Sequence, residues 1–590
     1  MMRSFAASVL AMAGLWASAQ AAQPDPKLII RALDDEMRRN MMELKLGDLE
    51  RPYHMEYTLT LRRRVGCHAI LGNVEDIDSG TTATVNVKIR VGGPRFDNTN
   101  FFDVGLGFFG SSDDEESFRN RSIPFEMNYE NLRRELWLAT DACYKQSVEL
   151  YAKKQAAIKN RTRTDTTWDF FYMAPEELTD LDNGQLTASV GDARRLCVEA
   201  SGIFKNYPDI QSSRVGFEFV PEEVYYVNSE GRRAHKFDVF CGVEMIAASQ
   251  ASDGMPVAET YAAYSIRPGD LPTKDSLLRA AEAMARTLTS IVKAPTIEAY
   301  SGPVLFEGQA AGEIVAQVFA PNLVAQRSPL SDGGFSTNDR YQAFQNKIGG
   351  RVLPEFMSAR AVPSQKTIGG QPVAGHYLID DEGMRAMDVA LVDKGYLKTL
   401  LSSRVPTKRI RISNGHQRGG AAMVSVIEFM NNDNKRALDD KGLKTRLLKL
   451  VKDRDLPYGI IVRKALNQNL LFTGIFPMMG TDFPIPQGES KMGIVEAYRL
   501  YPDGREELIR GTEAAGLSAS IFKDIIATGR TTRVHNLLAP AVNPAFLTGG
   551  SSYTIATMAT PDLLFEDIEI KPIEGDFPKP PILPNPLAGN

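Results

Sequence analysis

Histidine is the side chain that titrates near neutrality and the commonest protein metal ligand, and the second half of this chain holds only His376, His416 and His535. His376 is followed by Asp380, Asp381 and Glu382, a grouping with the chemistry of a metal site or proton relay. On an extended strand, positions four apart stand about 13 Å from one another, so one ion could be shared only across a turn. Asp380-Asp-Glu-Gly383 is itself turn-forming, since Asp and Gly are favoured there for backbone reasons. A turn is the preferred reading, and a relocated metal is disfavoured. Glu313 and Gln317, four apart, would share one helix face, within reach of each other or of a peptide. Lys408, Arg409, Arg411 and Arg418 could receive a peptide carboxylate, but read more simply as a solvated strand and loop. Nucleotide glycine motifs and the GxSxG elbow are absent.

These residues need elements to hold them. Apolar periodicity predicts helices over 28–44, 132–158 and 275–292, the last with Pro295 beyond its end. Strands are expected at 53–62 and 82–91, with Val85, Val87, Ile89 and Val91 facing one way, then at 215–220, 224–227 and 237–247. Asn228-Ser-Glu-Gly231 supplies a tight turn, and 159–167 reads as a solvated polar run. The second half opens with a strand at 303–306 and a helix over 310–319 that should stop at Pro321. Hairpin signals follow around Asp393-Lys-Gly395 and Pro502-Asp-Gly504, so sheet should dominate there. The fold class is α+β in two domains, because 590 residues exceed what one core holds.

A net charge of −5, with 24% charged residues, disfavours nucleic acid as the main ligand. Arg3, the apolar run 5–17 and Ala19-Gln20-Ala21 have the three parts of an export signal cut after Ala21 or Ala22. The run is too short to span a bilayer, and no later apolar run suffices, so the mature protein is expected to be exported, periplasmic or secreted, without a membrane span. In an oxidising compartment Cys67, Cys143, Cys197 and Cys241 could form disulfides in three pairings or remain four buried thiols; both readings stay open.

The stretch Gly302-Pro-Val-Leu-Phe-Glu-Gly-Gln-Ala-Ala-Gly-Glu-Ile-Val-Ala-Gln-Val-Phe319 resembles the opening of the catalytic domain in the TldD/PmbA family of metallopeptidases, also described as modulators of DNA gyrase. Gly375-His-Tyr-Leu-Ile-Asp-Asp-Glu-Gly383, Asp393-Lys-Gly395 and Arg411-Ile-Ser-Asn-Gly-His-Gln-Arg418 resemble its next landmarks in the same order. The leader read above occupies 1–22, the resemblance implies an enlarged N-terminal TldD/PmbA-like α+β domain over 23–297 and a metallopeptidase-fold domain over 298–570, and the prolines of 571–590 predict a loose tail. In the family's catalytic branch this helix carries His-Glu-x-x-x-His, and a later cysteine completes a zinc site. Here the motif positions hold Gly312, Glu313 and Gln317, and the cysteine position falls near Leu547 or Thr548. All three zinc ligands are absent, so no cofactor is expected, and the catalytic motif is degenerate. The resemblance therefore implies a non-catalytic peptide-binding or partner subunit for extended peptides or unfolded segments. It would be a homodimer, or a heterodimer with a zinc-bearing relative. His376, Asp380, Asp381 and His416 are the peptide-groove candidates. The alternatives are an active exported metallopeptidase using unrecognised ligands and a structural envelope protein.

Overall fold

The computed structural model describes residues 25–102, 120–159, 165–331, 341–467, 469–470, 491–542, 553–583 and 585–589. The expected leader, residues 160–164 of the polar run, and the cysteine position near Leu547 or Thr548 lie outside these residues.

Helix α1 (Pro26–Glu43) begins where the Asp25 carboxylate accepts the Lys27 N–H, with proline in its first turn. It precedes β1 (Pro52–Ile70) and β2 (Asn73–Gly93), a long antiparallel pair. Val85, Val87, Ile89 and Val91 of β2 are buried on one face, as strand alternation requires. Helix α2 (Tyr129–Lys159) covers that face with Leu132, Leu136 and Ala139. Each such buried aliphatic side chain contributes roughly 1.5–3 kcal/mol by leaving water. Then come α3 (Val190–Ile203), β3 (Ser212–Asn228), β4 (Arg233–Gln250), β5 (Pro256–Ser265) and α4 (Lys274–Lys293). The sheet runs β2-β1-β3-β4, and β5 pairs with β4.

The strands expected at 215–220 and 224–227 are one strand, β3, whose register with β4 runs through Pro221↔Val239. Proline has no N–H to give, and on the other side the ladder to β1 is interrupted between Arg62↔Glu222 and Val65↔Phe219. At the β3–β4 turn the Asn228 side-chain oxygen accepts the N–H groups of Glu230 and Arg232, and Gly231 has φ +84°.

The second half opens with β6 (Tyr300–Phe306) and α5 (Gln309–Ile314). The single helix expected over 310–319 is not regular: α5 passes into a π turn over Val315–Phe319 and a 3-10 turn over Ala320–Leu323. Pro321 sits at the start of that 3-10 turn, where its missing N–H is tolerated, so the chain coils past it. Next are β7 (Met357–Ala361), β8 (Val389–Asp393), β9 (Val426–Asn431), α6 (Asp440–Asp453), β10 (Gly459–Ala465) and β11 (Met492–Leu500). The chain continues through β12 (Thr512–Ala515), β13 (Ile525–Gly529), β14 (Arg533–Pro540), β15 (Tyr553–Thr560) and β16 (Leu563–Pro572). Pairing runs β6-β10-β11-β12-β16 and returns from β16 to β6, closing on itself, while a second sheet runs β8-β7-β9-β15-β14. Phe319 lies in the core beneath these sheets, its ring 4.7 Å from that of Phe522 and 5.6 Å from that of Phe429. The segment carrying Glu313 is thus central to this half.

The tail also differs from expectation. Strand β16 runs through Pro572, and beyond it the Pro578 carbonyl accepts the Gln250 side-chain amide while the Asn585 side-chain amide donates to the Pro208 carbonyl of the first half. The segment therefore touches the first half at these two points, while Ile582 and Leu583 between them stay exposed.

Candidate functional site

Helix α5 presents Glu313, only 2% exposed, to three carboxamides. Gln309 Nε2 and Asn467 Nδ2 donate to Glu313 Oε1 at 3.2 and 3.0 Å, and Gln317 Nε2 donates to Oε2 at 2.8 Å. Each amide is anchored in turn: Gln309 donates to the Ala465 carbonyl, Gln317 to that of Leu466, and Asn467 to that of Leu538. Burial pushes the Glu313 carboxyl up to about 7, and the three amide donors offset only part of that effect. The Glu313–Gln317 pairing is the one expected from helical spacing. Asn467 was not foreseen, because it reaches the helix from the end of β10.

Gly312, one residue earlier, faces His535 of β14. A Cβ built on Gly312 would stand 2.7 Å from His535 Cγ and 2.8 Å from its Cβ, far inside van der Waals contact. A side chain at 312 and the ring at 535 therefore exclude one another. Burial, and then Arg533, hold His535 down at about 4, so its imidazole is neutral near pH 7, and its Nε2 is buried without a hydrogen-bond partner. Sequence reading named His535 but had no signal to place it beside Gly312.

Glu313 and His535 border a cleft of about 510 Å³, lined also by Thr260–Tyr264 of β5, Lys464 of β10 and Val534–Leu537 of β14. Strands β5 and β14 are sheet edges: among the described residues β5 pairs only with β4, and β14 only with β15. The Asn536 side chain donates to the Tyr264 carbonyl at 3.2 Å, so the main-chain groups of Tyr264 point away from β4. By alternation those of Ala262 do too. The Leu538 carbonyl receives Asn467 in the same way, which turns the main-chain groups of Asn536 and Val534 from β15 toward the cleft.

The other candidates lie elsewhere. Asp380 is buried in the turn: its Oδ1 accepts the N–H groups of Glu382 and Met384, and its Oδ2 that of Gln417. Burial raises it to about 6, partly offset by these N–H donors. Asp381 accepts Lys236 Nζ at 3.0 Å and the Gly419 N–H at 2.8 Å. Burial opposes its charge, but Lys236 and Arg418 hold it at about 2. Asp381 lines a second groove of about 530 Å³ with Arg62, Arg64, Glu222 and Arg418. A wall that includes Phe240 and Tyr264, with ring centroids 5.9 Å apart, stands between groove and cleft. His376 donates from Nδ1 to the Pro363 carbonyl at 2.9 Å and borders a small neighbouring cavity. His416 is fully buried, its Nδ1 against Asn414, and burial lowers it to about 4. Of the basic cluster, Lys408, Arg409 and Arg411 are exposed, while Arg418 lies over the Tyr377 ring. Cys67, Cys143, Cys197 and Cys241 are all buried, and Cys67, Cys197 and Cys241 are free thiols. No helix among the described residues is long and apolar enough to cross a membrane.

A two-domain α+β chain in which a short helix holds one buried glutamate between sheets has the frame of a metallopeptidase-like protein. The family model of the PmbA/TldA metallopeptidase C-terminal domain matches residues 299–572, so the second half of the chain is a domain of that family. Among solved structures it is similar to TldE from Thermococcus kodakarensis, with 11% identity over 91% of this chain and 99% of that one, and a TM-score of 0.55. It is also similar to proposed modulators of DNA gyrase from Thermotoga maritima (12% identity, 88% and 96% covered, TM-score 0.53) and Bacteroides thetaiotaomicron (12%, 93% and 98%, TM-score 0.53). At these identities the likeness concerns the fold. No curated protein matches the chain.

Proposed function

We propose that this chain holds extended peptide or unfolded protein segments in the Glu313 cleft without cleaving them, as a non-catalytic subunit. The observation that carries this is the capture of both Glu313 oxygens by anchored carboxamides. A general base needs a lone pair open to water, and here three donors already occupy three of the carboxylate's roughly four acceptor positions. The residues do not fit zinc either. Position 312 has no side chain and its space is filled by His535, and the Gln317 amide is turned toward Glu313; a carboxamide is a weak ligand beside imidazole.

Binding needs no metal. The outward main-chain groups of β5 and β14 can pair with an extended chain, as sheet edges do. Any peptide chemistry would come from a companion, either a second copy or a zinc-bearing relative, and Arg3 with the 5–17 run supports an exported setting.

Titrating the full-length protein with a fluorescein-labelled unfolded peptide, with mass spectrometry of the peptide in the presence and absence of added zinc, tests the reading. Saturable binding with an intact peptide is expected. Turnover abolished by Glu313→Gln would establish the active-peptidase alternative instead, and sedimentation with co-purification from the native host tests the companion.

A further inference from the structure

We propose that His535 is the ligand-anchoring side chain of this cleft, its imidazole hydrogen-bonding a main-chain amide of the bound segment; this rests on the peptide reading above. Most polar groups around the cleft are committed within the protein. Gln309, Gln317 and Asn467 serve Glu313 and neighbouring carbonyls. Asn536 accepts the Ala374 N–H and the Thr557 hydroxyl, and donates to the Tyr264 and Pro372 carbonyls. Lys464 is paired with Glu259.

Among the buried side-chain nitrogen and oxygen atoms of the cleft's described lining, His535 Nε2 alone has no partner. A buried polar atom left unpaired costs free energy in the empty protein, and a ligand that supplies the partner recovers it. Strand β14 holds the ring rigidly. Leu537, two residues on and so on the same face, is buried in the core, and Gly312 leaves the ring its space on the helix side. The adjacent outward main-chain groups of Val534 and Asn536 would align an extended segment alongside. The imidazole is neutral near pH 7, and a peptide amide suits either tautomer: its carbonyl can accept from Nε2–H, or its N–H can donate to the bare nitrogen. An uncharged extended main chain is therefore the ligand chemistry that this position selects.

The probe is a blocked, uncharged octapeptide of alternating valine and threonine carrying a neutral coumarin dye, titrated into the full-length protein. His535→Phe keeps a ring above Gly312 but removes the nitrogens, whereas His535→Ala removes the ring. Each should weaken binding about five- to tenfold, the worth of one buried hydrogen bond. In histidine-labelled wild type, with six histidines to resolve, the His535 Nε2 resonance should move on peptide addition. Wild-type binding with unchanged affinity in a folded variant would overturn the proposal and leave the peptide reading intact. Absence of wild-type binding would overturn both. If neither variant folds, a stationary His535 Nε2 resonance at saturation overturns the proposal and a displaced one supports it.

Discussion

The Gly312 Cα and the His535 ring share one space, since a methyl group at 312 would sit 2.7 Å from the ring. Overpacking of this kind costs about 1–3 kcal/mol. Gly312→Ala should therefore destabilise the protein by that amount in urea unfolding. The cost should fall by at least about 0.5 kcal/mol when His535→Gly is present as well, because that change removes both the ring and the Cβ that stand against position 312. Strict additivity of the two changes would contradict the contact.

Glu313 imposes a pH dependence whose sign follows from its raised carboxyl. Between about 4.5 and about 7 the folded state holds a proton that the unfolded state has released. The stabilisation is complete below the unfolded value near 4.5 and is lost as pH rises through about 7. Its size is of order 3 kcal/mol. Glu313→Gln, which cannot ionise, should flatten this part of the stability profile. An unchanged slope in the variant would count against the buried carboxyl.

Arg404 joins the two halves by pairing with Glu230 of the β3–β4 turn at 2.7 Å, with side chains 2% and 6% exposed, and by lying over the Phe170 ring. Removing one partner of such a buried pair leaves the other uncompensated and costs about 3–5 kcal/mol. Arg404→Met should lower stability accordingly. Lys145→Ala, which breaks a surface pair with Asp141 on α2, should cost below about 0.5 kcal/mol. Equal losses in chemical denaturation would refute the distinction.

Gently purified protein should contain no stoichiometric zinc by elemental analysis. One zinc per chain, lost on His376→Ala, His416→Ala or His535→Ala, would show that a relocated site exists.

Protein from the native host should begin at Ala22 or Gln23 on N-terminal sequencing. An intact Met1 on cytoplasmic protein would remove the basis for the exported setting.

Much of the framework was legible because it depends on local periodicity. The helix expected over 275–292 is α4, Lys274–Lys293, and the apolar face of β2 is the one read from Val85, Val87, Ile89 and Val91. Helical spacing alone anticipated the Glu313–Gln317 hydrogen bond. Helix and strand periods are properties of neighbouring residues, so a linear text carries them. The continuity of β3 through Pro221 was not legible, because a proline is tolerated only if the opposing ladder opens there, and that opening belongs to the register with β1. Nor could sequence deliver Asn467 to Glu313, or His535 to Gly312. Those encounters join residues more than a hundred positions apart, and are set by how β10 and β14 pack around α5. Whether the cleft's carboxylate meets water, a metal or three amides is therefore decided by long-range packing, which leaves no period in the sequence.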